Sequence, residues 1–325
     1  MSPDKLSPLN RAFPNASRII YGCMGLGGGW NNEAITAADE AQAHQVIESA
    51  LDNRITVFDH ADIYTFGKAE QVFGQVIRQN PSLRERMVIQ TKCAIRFADE
   101  DGPKRYDFSA AWLQHSVEKS LKQLNVERLD VLLLHRPDPL MHLDETAATL
   151  NAMIKAGKID QIGVSNMHSR HIAWLQSALQ QPIVANQIEM SLAHCPLLED
   201  SMTSGSTNAL GASIDTGLLE YCQLNQIQIQ AWGSLAQGNI TSAKPQATAQ
   251  HQRIYACVRQ LAAEYQTTSE AIALAWLMRL PMNIQPIIGT TNTKRIASCT
   301  KAEQLTLTRE HWYQLFEASR GTEVP

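Results

Sequence analysis

A chain of 325 residues with 44% apolar and 18% charged side chains can build a sizeable core, so disorder as its main state is excluded. Its 28 Lys and Arg against 32 Asp and Glu give a net charge of -4, with no basic stripe to neutralise a phosphate backbone; no nucleic acid partner is expected. No apolar run approaches the ~20 residues of a membrane span, and Met1-Ser2-Pro3-Asp4-Lys5-Leu6 lacks a charged-then-apolar signal pattern, so the expectation is a soluble cytoplasmic protein with no membrane partner.

In chain order, short β-branched runs alternate with amphipathic helices. A strand over 18–21 leads into the glycine-rich loop 25–29 and Trp30. Thr36 and Asp39 then form a capping-box pattern ahead of Val46, Ile47, Ala50 and Leu51. Strands follow over 55–59 and 87–91, then a charged loop over 97–108, then a helix whose apolar face carries Val117, Leu121 and Leu124. Further strands are predicted over 129–134, 161–164 and 183–188, a Ser/Thr/Gly/Ala-rich loop over 201–213, a strand over 227–231 and a loop over 239–250. Thr267 and Glu270 repeat the capping-box pattern before Ile272, Leu274, Ala275, Trp276 and Leu277, and a last strand covers 286–288.

Eight strands in βα units could form a doubly wound open sheet, but the chain shows no linker or break in composition. A single-domain (β/α)8 TIM barrel over residues 1–325 is the favoured fold. The loop 25–29 is not a dinucleotide fingerprint, because no acidic residue stands at the required place after a second strand. With Trp30, it is expected to shape one wall of a pocket. Cys23, Cys93, Cys195, Cys222, Cys257 and Cys299 are scattered without a CxxC pair and read as reduced structural thiols. His168, His171 and His194 lack a third ligand at a recognisable spacing, so no metal is expected.

In such a barrel chemistry gathers at the C-terminal ends of the strands. Successive ends here offer Asp59 with Tyr64, Lys92, His135, Ser165 with Asn166, Gln187 with Glu189, Trp232, and Gly289 with Thr290. Singly, each has a structural reading: a packing tyrosine, a surface ion pair, a near-core histidine. Their placement on seven consecutive ends favours a site.

Phe58-Asp59-His60-Ala61-Asp62-Ile63-Tyr64, Thr91-Lys92, Leu134-His135-Arg136-Pro137-Asp138, Gly163-Val164-Ser165-Asn166, Asn186-Gln187 and Ile287-Ile288-Gly289-Thr290 resemble, in order and spacing, the motifs of the aldo-keto reductase family. The stretches 135–141 and 156–158 look closest to its bacterial YdhF-like branch. The resemblance implies reduction of aldehyde or ketone carbonyls by hydride transfer from NADP(H), with a tetrad of Asp59, Tyr64, Lys92 and His135. Tyr64 would donate the proton, Lys92 would make its phenol a better acid, Asp59 would hold Lys92, and His135 would orient the carbonyl oxygen.

The same resemblance assigns Ser165, Asn166 and Gln187 to the nicotinamide carboxamide and Trp232 to the ring face. It assigns Leu235, Gln237 and Gly238 to the pyrophosphate, with 239–250 as a lid, and Arg295 with Thr290 to the adenosine 2′-phosphate. Ser298 and Cys299 depart from the family's Glu-Asn pair at the adenine. Two other functions are weighed: a Schiff-base lyase using Lys92 as nucleophile, and an NADP(H)-binding regulatory subunit. The expected partner is a small-molecule carbonyl substrate, with specificity in loops after the first, third and seventh strands and in 301–325; a monomer suffices.

Overall fold

Parallel pairing joins β1 (Ile20–Gly22), β2 (Val57–Asp59) and β3 (Val88–Cys93) on one side of a closed barrel. After a hairpin of β4 (Ile95–Arg96) and β5 (Arg105–Tyr106), the ring continues through β6 (Leu129–Leu134), β7 (Ile159–Ser165), β8 (Ile183–Glu189), β9 (Gln228–Trp232) and β10 (Gln285–Ile288). β10 returns to pair with β1, which closes the eight-stranded ring. The structure is a computed structural model and describes residues 7–203 and 217–325.

Among the described residues, helix α1 (Pro8–Ala12) precedes the barrel. Around and after it in chain order come α2 (Ala37–Asp52), α3 (Lys68–Gln79), α4 (Ala110–Leu124), α5 (Leu143–Lys155), α6 (Ser169–Gln176) and α7 (Pro196–Thr203). These are followed by α8 (Leu218–Leu224), α9 (Ala249–Glu264), α10 (Ser269–Met278), α11 (Thr293–Thr300) and α12 (Arg309–Arg320). None is long and apolar enough to cross a membrane.

Side chains alternate across a strand, and that period of two sorts the residues into two cores. The outer one fills the space between sheet and helices, with Tyr21, Phe58, Ile89, Leu132, Leu134 and Ile162 meeting the helices' apolar faces. The inner one lies within the barrel, where Ile20, Val57, Val88, Val131 and Leu133 pack with Leu9 of α1. Two residues beyond Val57 and Val88 the same inward direction is taken by Asp59 and Gln90, and two beyond Gln90 by Lys92. The inner wall therefore turns from apolar to polar toward the strands' C-terminal ends. Gly163 serves this packing, since a Cβ there would collide with the Leu133 side chain and come within 3.0 Å of the Ala185 carbonyl.

All eight expected barrel strands are present, with shifted ends. β1 starts two residues late and ends at Gly22, while β3 runs on through Lys92 and Cys93 because their partners Leu133 and Leu134 extend the ladder. β7 likewise begins at Ile159 and includes Ser165, paired with Gln187. The segment expected as a loop over 97–108 folds back as part of the β4 and β5 hairpin. There Arg96 pairs with Asp99, Asp101 and Asp107, and Arg105 with Asp99, so its charges close on themselves.

The Thr36 capping box forms as expected. The second does not: Thr268, not Thr267, caps α10 by accepting from the Ala271 N–H, and Glu270 turns instead to Arg295. In the expected loop over 201–213, residues 201–203 end α7 and the remainder lies outside the described residues.

Candidate active site

At the polar end of the barrel opens a cavity of about 630 Å³, within the range of small-molecule and cofactor sites. Asp59, Tyr64, His135, Ser165, Asn166, Gln187, Trp232, Leu235, Gln237, Gly238, Thr290 and Arg295 all line it. Lys92 lies just beneath: its Nζ is 3.1 Å from the Tyr64 hydroxyl, 2.7 Å from Asp59 Oδ2 and 2.8 Å from the His60 carbonyl.

The strands explain this convergence. β2 ends on Asp59, and a turn then carries Tyr64 back over the barrel mouth, where Thr65 and Phe66 take left-handed backbone angles (φ 46° and 59°). β3 presents Lys92 toward the axis, and β6 hands the chain to His135, whose N–H bonds the Cys93 carbonyl at 3.0 Å. The ring centroids of Tyr64 and His135 are 6.3 Å apart, edge to face.

Burial by itself would lower the Lys92 ammonium, but Asp59 and Tyr64 more than compensate and raise it above the ordinary lysine range. Burial raises the Tyr64 phenol above its ordinary value, with Lys92 pulling it back only in part. The sequence-based expectation that Lys92 makes Tyr64 a stronger acid thus holds for the sign of the Lys92 contribution. The net shift is set by burial and keeps the phenol protonated. His135 is pushed down to about 2 by burial and by the Lys92 and Arg136 charges, so the imidazole is neutral; its Nδ1 has no hydrogen-bond partner among the described residues.

Farther along the cavity, Ser165 Oγ donates to the Gln187 carbonyl at 3.0 Å and accepts from Asn166 Nδ2 at 2.7 Å. Asn166, at φ 57°, accepts from the Trp232 indole N–H at 3.1 Å, which fixes the ring on the wall. Beyond Trp232 the chain makes a tight turn through Ala236, Gln237 and Gly238, with Gly238 at φ 79°.

A Cβ on Gly238 would stand 3.5 Å from Arg295 Nη2 and 3.7 Å from Lys244 Nζ, so a side-chain-free backbone lies between two cations. That cradle, together with the N-terminus of α11 at Asn292, has the chemistry of an anion site. Thr290 stands at its edge, its hydroxyl accepting from the Asn292 N–H at 3.2 Å.

The barrel architecture recurs in a solved aldo-keto reductase from Klebsiella pneumoniae in complex with NADPH, with a TM-score of 0.72 over 95% of this chain and 92% of that one, at 24% identity. A family model described as the aldo/keto reductase family matches residues 18–320. The chain belongs to the aldo-keto reductase family. Among its relatives, a 6-dehydroglucose reductase from Agrobacterium fabrum is 35% identical over 312 residues, covering 95% of this chain and 96% of the relative. The oxidoreductase YdhF of Escherichia coli is 34% identical over 315 residues, covering 96% of each.

Some cavity residues of this aldo-keto reductase escape the sequence reading. Glu270, read as part of a cap, lines the cavity and accepts from Arg295 Nε at 3.2 Å. Of the two departures already named in the sequence, Cys299 lines the cavity whereas the Ser298 hydroxyl turns to the Lys294 carbonyl, so the two are not equivalent. Lys244, in the expected lid, stands outside the cavity wall, its Nζ donating to the Gln237 carbonyl at 2.6 Å beside Gly238.

The glycine-rich loop corrects another expectation. Gly22, Met24 and Trp30 reach the cavity but residues 25–29 do not; Gly27, at φ 76°, instead lies against the start of α3, where a Cβ would stand 2.6 Å from the Lys68 carbonyl. Apolar side chains of Met24, Trp30, Ile63 and Ile95 form the wall around Tyr64, and Phe66 meets Trp30 edge-on at 5.5 Å.

Proposed function

We propose that this chain reduces aldehyde or ketone carbonyls of small molecules to alcohols with NADPH, with Tyr64 as the proton donor. One observation carries the reading: a protonated phenol, backed from beneath by the Lys92 and Asp59 ion pair, and a neutral imidazole face one cavity that reaches a distant anion cradle. Bound NADPH supplies the hydride that the carbonyl carbon takes up. The cavity fits that group: its length reaches from Tyr64 to Gly238, and the Arg295 and Lys244 pair suits phosphate.

In this mechanism the carbonyl oxygen sits between Tyr64 and His135. As negative charge develops there, the phenol O–H proton transfers to the oxygen, an alcohol forms and a phenolate remains. Lys92, charged and 3.1 Å away, stabilises that phenolate until a proton from solvent restores it, while Asp59 holds the ammonium in place. Neutral His135 offers a hydrogen bond that orients the oxygen without competing for the proton.

Ser165, Asn166 and Gln187 would hold the nicotinamide carboxamide and Trp232 the ring face. Leu235, Gln237 and Gly238 would follow the pyrophosphate, and Thr290 and Arg295 would take the 2′-phosphate. The lyase alternative needs a free Lys92 amine. Its full burial and three hydrogen bonds argue for a charge carrier instead.

NADPH consumption against a panel of aldehydes, ketones, quinones and an oxidised sugar tests the proposal. Turnover of one class supports it. Tight NADPH binding with no turnover on any would point to a regulatory subunit, and borohydride trapping of a substrate on Lys92 would restore the lyase.

A further inference from the structure

Beneath the tetrad lies a layer of amides, two of which, Gln90 and Gln230, the reductase reading does not use. Gln90 on β3 and Gln230 on β9, both fully buried, face each other across the barrel axis. Each donates from Nε2 to the other's Oε1 at 2.9 Å, forming a reciprocal pair. Gln90 Nε2 also donates to Asp59 Oδ1 at 2.5 Å, which uses its second hydrogen. Gln187 Nε2 donates to the same Oδ1 at 3.0 Å and to Gln230 Oε1 at 3.3 Å.

The orientation of these amides is dictated by chemistry. Turning Gln90 over would set its carbonyl oxygen 2.5 Å from a carboxylate oxygen, acceptor against acceptor. With Oδ1 receiving two amide donors, Asp59 is left with Oδ2 for Lys92 at 2.7 Å. An ion pair removed from water is held only if its remaining lone pairs are also satisfied.

We propose that Gln90 and Gln230 are positioning residues for the reduction: their reciprocal pair locks the Asp59 carboxylate in the rotamer that aims Oδ2 at Lys92 and, through Lys92, orients the Tyr64 hydroxyl. Neither touches substrate or cofactor; both act through Asp59. Apolar side chains would fill the same volume, as Val88 two residues earlier on β3 and Val131, the β6 partner of Gln90, do, so filling alone does not account for two glutamines at the axis. The inference rests on the proposed reductase activity.

The test replaces each glutamine by methionine, of similar length and without hydrogen bonds to give. Besides Asp59 on β2, the charged and titratable groups around Lys92 and Tyr64 are Cys23 after β1, His60 after β2, Glu70 on α3 and His135 after β6. All stay in place in these variants. With Asp59 loosened, burial acts on Lys92 with less opposition and its proton leaves at lower pH. The alkaline limb of the reduction profile should therefore move to lower pH in Gln90→Met. Its kcat at neutral pH should fall on the order of 10- to 100-fold with little change in KM, the scale of a displaced catalytic group.

Gln230→Met breaks the same pair from the other side and should give a smaller shift in the same direction, with Gln90→Met and Gln230→Met non-additive together. Gln285→Met, at a buried glutamine that bonds the Ser17 carbonyl instead, is the control and should leave the pH limb unmoved. A cofactor-free readout is the ultraviolet titration of the Tyr64 phenol, taken as the difference from Tyr64→Phe, which should shift in Gln90→Met. Unmoved pH limb and phenol titration in folded Gln90→Met and Gln230→Met proteins would overturn the inference. An unmutated protein without reductase activity would instead remove the reading beneath it, with the phenol titration still reporting on the amide pair.

Discussion

Arg295 stands 43% exposed at the far end of the cavity, its Nε on Glu270 and its Nη2 beside Gly238, so part of its guanidinium is available to an incoming anion. A charge-assisted hydrogen bond to phosphate contributes about 1.5 to 3 kcal/mol. Arg295→Ala should therefore weaken NADPH binding by about 10- to 100-fold while leaving NADH nearly unchanged, as measured by fluorescence titration of both. Equal losses for the two cofactors would mean that Arg295 supports the wall and not a phosphate. Individual residues were legible in the sequence to different depths. Asp59, Lys92 and His135 stand at strand ends, where polarity after an apolar run is visible. Lys244 and Glu270 were not legible, because their roles come from a turn and a helix start that bring distant segments together.

The hairpin, β2 and the α3 and α4 pair enclose a different kind of chemistry. Asp62, in the turn after β2, and Glu70, on α3, are both buried: burial and the Glu70 carboxyl push Asp62 from 3.8 up to about 8, and burial pushes Glu70 from 4.5 up to about 7. The folded state thus keeps protons that the unfolded chain releases above about pH 4. Stability from these groups is fully present below their unfolded values and is lost as pH rises toward about 8. Asp62→Asn cannot ionise, so its melting temperature relative to the unmutated protein should improve from pH 5 to pH 9; a constant difference would count against the titration.

The same elements show what periodicity conveys. All eight barrel strands were readable from β-branched runs, yet their ends were not, since Lys92 and Ser165 belong to ladders extended by their neighbours. The β4 and β5 hairpin was hidden because ion pairs, not apolar alternation, hold it. Gln90 and Gln230 did not stand out, because β3 also carries Thr91 and Lys92 and β9 also carries Gln228. The bonding across the axis depends on barrel closure, which no local pattern records.

Over the whole molecule, the barrel divides into an apolar end closed by α1 and a polar end that carries the site, as expected where chemistry gathers at one face and stability at the other. Leu9, fully buried against Ile20, Val57, Val88 and Val131, tests that division. Leu9→Ala should cost about 2 to 5 kcal/mol in denaturant unfolding while leaving turnover of the folded protein near normal. A large loss of turnover at full folding would show the two ends to be coupled. The central claim is that Tyr64 donates the proton, and the most direct measurement is single-turnover reduction by Tyr64→Phe with NADPH bound. The ring's packing is kept and only the hydroxyl 3.1 Å from Lys92 is lost. The account predicts a rate lower by roughly 10²- to 10⁴-fold with NADPH affinity and melting temperature unchanged; a Tyr64→Phe protein that reduces its substrate at a near-normal rate would contradict it.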